Sequence, residues 1–100
     1  MIEVKQHAEG INVKGHAGFA PHGQDIVCAA VSILCQTLIQ SINDLTMDSI
    51  ECAVESGNVN IKYKILSEKA QFLIESFFVG IKMLADNYPE HVQMTRHERQ

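Results

Sequence analysis

The chain has 100 residues and a formal charge of −4, with twelve acidic against eight basic residues, which lacks the basic surplus of a nucleic-acid binder. Apolar residues make up 46% and charged ones 20%, which excludes a disordered chain and suits a single domain over residues 1–100. No uninterrupted apolar run reaches the roughly 18 residues of a membrane span, and "MIEVKQHAEG" lacks the basic start and apolar middle of a signal peptide. A cytoplasmic protein with no membrane or nucleic-acid partner is therefore expected.

"IEVK" alternates apolar and charged residues, "HAEG" offers a turn, and "INVK" resumes the alternation, so a hairpin is expected over residues 2–14. Residues 15–24 hold three of the six glycines, a proline and two histidines, the composition of a loop. From Asp25 to about Asn43 the apolar period becomes helical. Val27, Val31, Leu34 and Leu38 form one stripe, while Ile26, Ile39 and Ile42 lie on other faces, which predicts a central helix. "IECAVES" and "VNIKYKI" around "SGN" read as a second hairpin, with Val59, Ile61, Tyr63 and Ile65 on one face. Ser67 is the expected N-cap of a second helix, whose apolar face runs from Ala70 to Ala85 before Pro89. Phe72, Phe77 and Phe78 spread around that helix, as core or as a subunit interface. "HVQMTR" is a possible last, edge-like strand. The order ββαββα(β) predicts an α+β sandwich: an antiparallel sheet of two hairpins, plus the possible final strand, with two helices packed on it.

Three cysteines form no CxxC pair, and their odd number cannot close into intramolecular disulfides alone. Cys35 and Cys52 are expected in the core, Cys52 because it alternates with Ile50 and Val54. Cys28 differs. It falls in the first turn of the first helix, where unpaired N–H groups and the positive end of the dipole favour a negative sulfur. Asp25, Cys28, Ser32 and Cys35 are spaced by three, four and three and share one helix face. Asp25 is either a helix cap or a histidine-orienting group, and Ser32 either bonds back to its own helix or stands beside the thiol. His16 follows Gly15 at the end of a strand and can serve as the base for Cys28, with His22 as its rival. His7, His91 and His97 are expected on the surface. His16, His22 and Cys28 lack a fourth ligand and any paired spacing, and there is no phosphate-loop motif, so no metal or other cofactor is expected.

"GHAGFA" followed by "GQDIVCAAVS", with twelve positions from His16 to Cys28, resembles the ribosomal-processing cysteine protease family, Prp. The element order and "NYPEHVQM" extend the likeness along essentially the whole chain. The resemblance implies a small α+β homodimer that trims a short N-terminal extension from the twenty-seventh large-subunit ribosomal protein. It implies His16 as general base and acid, Cys28 as nucleophile, and supporting positions at Asp25 and Ser32. It also implies a substrate-ordered loop carrying Gly15, Gly18 and Gly23. The free N–H groups at the helix start are candidate oxyanion donors, and an extended peptide can add along a sheet edge. Similar proteins in prophages suggest virion proteins as another substrate class. A non-catalytic dimeric protein-binding module on the same fold is the remaining reading.

Overall fold

Strict alternation sets the sheet. The computed structural model describes residues 1–97 of the chain, with β1 at Ile2–His7 and β2 at Gly10–Lys14 pairing as an antiparallel hairpin. Ile2, Val4, Ile11 and Val13 bury their side chains on one face, while Glu3, Lys5 and Lys14 stay exposed. Helix α1 spans Ile26–Leu45, β3 Glu51–Glu55, β4 Asn58–Lys62, α2 Glu68–Asn87 and β5 Val92–Arg96. The five strands lie in the order β3-β4-β2-β1-β5.

The two hairpins are antiparallel, as is the β2–β4 junction between them. The fifth strand forms, but it pairs with β1 in parallel, so the sheet is mixed rather than antiparallel throughout. Connectivity explains this. β4 runs in the same direction as β1, and α2 carries the chain back to the end where β4 began, so β5 repeats that direction. Helix α1 makes the equivalent return between β2 and β3.

Both helices pack on the apolar face. Val27, Val31, Cys35, Leu38 and Ile42 of α1 and Ala70, Ile74, Phe77, Phe78 and Ile81 of α2 are buried. By length and composition α1 could cross a bilayer, but this buried row faces the sheet and Ser32, Gln36 and Gln40 are exposed along the helix. The opposite face of the sheet is polar: Asn12 Nδ2 donates to Asn58 Oδ1 at 3.1 Å and Asn60 Oδ1 at 2.8 Å.

Helix ends follow the sequence closely. Asp25 caps α1, and Ser67 Oγ caps α2 by accepting from Ala70 N at 3.2 Å. Asp48, between α1 and β3, accepts from the Ser67 hydroxyl at 2.6 Å and amide at 2.7 Å. Those bonds, the hydroxyl first, hold the Asp48 carboxyl below the usual carboxylate range and tie the start of α2 to the end of α1.

Some expectations give way. β4 ends at Lys62, so Tyr63 is buried but Ile65 is 93% exposed and no longer shares its face. Cys52 and Val54 are exposed, although their partners Ile61 and Val59 lie under cover. Two helices, each about 10 Å across, cover about four strands spaced ~4.8 Å apart, and the edge strand β3 extends beyond them. Phe77 and Phe78 are core, with ring centroids 5.0 Å apart and the Arg96 guanidinium 4.1 Å over Phe78. Phe72 alone of the three is exposed.

Candidate active site

The loop after β2 begins at a glycine for a local reason. Gly15 has φ +105°, a side-chain carbon there would collide with the Met1 backbone oxygen, and its amide donates to Gly57 O at 2.9 Å. The strand end is thereby fixed against the β3–β4 turn, and His16 is the next residue.

Asp25 organises the other end. Its Oδ1 accepts from the Val27 and Cys28 amides at 3.0 and 2.9 Å, and its Oδ2 from the Phe19 and Ala20 amides at 3.0 and 3.3 Å. One carboxylate thus caps α1 and cinches residues 19–25 onto it. These amides, that of Cys28 foremost, outweigh desolvation and hold the carboxyl below the usual carboxylate range. All four partners are backbone groups and none is His16, so the cap reading of Asp25 is the one the structure supports. Of the N–H groups at the helix start, the candidate oxyanion donors, those of Val27 and Cys28 are occupied by Asp25.

Cys28 is the third residue of α1 and half-buried. Its Sγ accepts from the Ala17 amide at 3.3 Å, the peptide N–H immediately after His16. His16 itself is exposed, with its ring against the glycine of the β3–β4 turn: a Cβ on Gly57 would lie 2.7 Å from Nε2. Among the described residues no hydrogen bond joins His16 to Cys28. The two side chains line a shared cleft of about 540 Å³ with Gly18, His22, Gly23 and Ser32. A second groove of about 260 Å³ continues from His16 and Cys28 between α1 and the β3–β4 hairpin, over Val31, Ile39, Val54 and Val59.

Ser32 Oγ accepts from Gln36 Nε2 at 2.9 Å, one turn further along the helix, and stands in the cleft without bonding the sulfur. His22 is exposed at the rim. Gly15 lies at the mouth of the groove, while Gly18 and Gly23 line the cleft. Cys35, two turns deeper than Cys28, is buried, and burial pushes its thiol up to about 11. Partial desolvation raises the Cys52 thiol as well.

These environments separate the three thiols. In the folded protein at pH 8, Cys28 is expected to take up iodoacetamide fastest and Cys35 slowest, because Cys35 is both shielded and protonated below about pH 11. Site-resolved mass spectrometry of a time course reads the order directly.

Two participants were not apparent from the sequence. The "SGN" turn signals a left-handed residue, and Gly57 has φ +73°, but nothing local indicates that a histidine ring rests on it. His91, expected on the surface, is half-buried: its Nδ1 lies 2.8 Å from Ala17 O and its ring meets Phe19 edge-on, centroids 5.4 Å apart. That contact spans 74 positions, beyond any local periodicity.

Comparison with known proteins places this geometry. The family described as cysteine protease Prp matches residues 1–93. Ribosomal processing cysteine protease Prp of Bacillus subtilis is 26% identical, covering 91% of this chain and 90% of that protein. The protein of the same name from Mycoplasma genitalium is 29% identical, with 92% of each covered. A crystal structure of Prp from S. aureus with a covalently linked product peptide superposes with a TM-score of 0.86 at 19% identity, over 96% of this chain and 97% of that one. A Streptococcus mutans crystal structure superposes with a TM-score of 0.74 at 32% identity, over 98% of this chain and 93% of that one.

Proposed function

The chain belongs to the cysteine protease Prp family, and on that premise we propose that it removes a short N-terminal extension from the twenty-seventh large-subunit ribosomal protein. Cys28 is the nucleophile and His16 the general base and acid. The observation that carries this reading is the shared cleft, into which a strand end and a helix start each deliver one of the two side chains. The names of the Bacillus and Mycoplasma relatives support ribosomal processing as the setting.

In this mechanism the His16 ring turns from Gly57 towards the sulfur and accepts the thiol proton. The thiolate attacks the scissile carbonyl carbon, forming a tetrahedral adduct at the start of α1. His16 returns the proton to the departing amine as the C–N bond breaks, leaving a thioester on Cys28. Water then attacks that thioester with His16 taking its proton, and the carboxylate product and free thiol are released. Asp25 keeps the loop and helix in register throughout. Ser32 lines the cleft beside the substrate.

The groove between α1 and the β3–β4 hairpin offers the peptide a mostly apolar floor beside the edge strand β3. An extended segment there can add main-chain hydrogen bonds to the sheet. The row Phe72, Val79 and Met83, exposed on one face of α2, supports a homodimer, and we assign the protein to the cytoplasm.

The test is incubation with the N-terminally extended ribosomal protein and measurement of product masses. Two fragments whose masses sum to the substrate plus one water are expected. An intact substrate would overturn the assignment, and the search would pass to virion proteins or to binding without catalysis.

A further inference from the structure

Ala17 is held from both sides. Its amide donates to Cys28 Sγ at 3.3 Å, its carbonyl oxygen lies 2.8 Å from His91 Nδ1, and its methyl group is buried. A carbonyl oxygen can only accept, so His91 Nδ1 carries the hydrogen of this bond. His91 is itself fixed where the chain enters β5: its amide donates to Tyr88 O at 2.9 Å and its carbonyl accepts from Ile2 N at 2.8 Å. Its ring and that of Tyr88 each meet Phe19 edge-on, with centroids 5.4 and 5.5 Å apart. The loop is therefore gripped at residues 17 and 19 by the segment leading into β5, in addition to the Asp25 carboxylate that holds the Phe19 and Ala20 amides.

We propose that His91 is a positioning residue for the nucleophile: its Nδ1–H holds the Ala17 carbonyl so that the Ala17 amide stays aimed at Cys28 Sγ. The inference rests on the assignment of Cys28 as nucleophile. An N–H directed at sulfur stabilises the negative charge needed for attack, and a charge-assisted bond is roughly twice as strong as a neutral one, so losing its alignment costs more. Without His91 the Ala17–Gly18 peptide loses that anchor, so Ala17 is left with the bond from the Met1 amino group to His16 O and its buried methyl, and its N–H is aimed less firmly at sulfur. His91 does not touch the substrate or the sulfur, so its effect falls on kcat and thiol reactivity rather than on KM.

The test compares three variants. His91→Phe keeps the ring against Phe19 and removes the donor. His91→Asn places an amide N–H where Nδ1 stands, whereas His91→Gln places its amide further out, near the Nε2 position. Cys28 alkylation by iodoacetamide, kcat and KM on a cleavable peptide, and thermal midpoints are measured for each. His91→Phe and His91→Gln are expected to lose about tenfold in alkylation rate and kcat, the scale of one hydrogen bond, with KM within about twofold. His91→Asn should retain most of both rates. Equal rates in the Asn and Gln variants, or an undiminished Phe variant, would overturn the positioning role even if one variant is less stable. If the unmutated protein cleaves nothing and labels Cys28 no faster than Cys52, the nucleophile assignment fails instead. Normal cleavage with insensitive variants removes only His91.

Discussion

Cys28→Ala is expected to cleave the extended ribosomal protein at least about 10⁴-fold more slowly than the unmutated protein, the scale seen when a covalent nucleophile is removed from an assembled site. Cys35→Ala should stay within a few-fold. The contrast follows from position in one helix. Cys28 sits in the first turn, half-buried in the cleft, with an N–H on its sulfur. Cys35 is buried two turns on, and burial pushes its thiol up to about 11, so it offers no thiolate near neutral pH. Product masses from parallel incubations decide the matter. Activity in Cys28→Ala, or its loss in Cys35→Ala with the fold intact, would reverse the assignment.

His16→Ala should lower kcat by about 10²–10⁴-fold, the usual worth of a positioned general base and acid. It should leave peptide affinity largely intact, because His16 is one residue at the end of a groove lined mostly by α1 and the β3–β4 hairpin. His16 is exposed, so its deletion opens the cleft to solvent rather than leaving a sealed cavity. Added imidazole is thus expected to recover part of the lost rate in His16→Ala and none in Cys28→Ala. Single-turnover kinetics with and without imidazole make the measurement. His22→Ala gives the comparison: a larger loss there than in His16→Ala would transfer the base role to the rim histidine.

Much of this architecture could be read from local pattern. Alternation located the strands, with β4 ending earlier than the pattern suggested, and the apolar periods located both helices. Asp25 and Ser67 cap where short polar side chains meet a helical run. What was hidden depends on distant parts of the chain. The parallel pairing of β5 follows from where α2 returns the chain, which no window of residues reveals. Cys52 alternates as a core residue does, yet lies on a strand that the helices do not reach. The site divides the same way. His16, Asp25 and Cys28 lie within one short segment and were legible together, whereas Gly57 and His91 reach it only through the sheet.

The pairing of β1 with β5 also has a kinetic consequence. Ile2 and Val92 are register partners, so nearly the whole described chain forms the loop that their contact closes. Closing a loop of that length costs more entropy than forming either hairpin, and contacts of such wide separation slow folding. The two hairpins and α1 can assemble while β5 is still undocked, which would leave Cys28 and His16 present but Ala17 without its partner from the far end. Docking of β5 would then complete the fold and the support of the thiol in one step, so that recovery of Cys28 reactivity during refolding should follow the slowest structural phase.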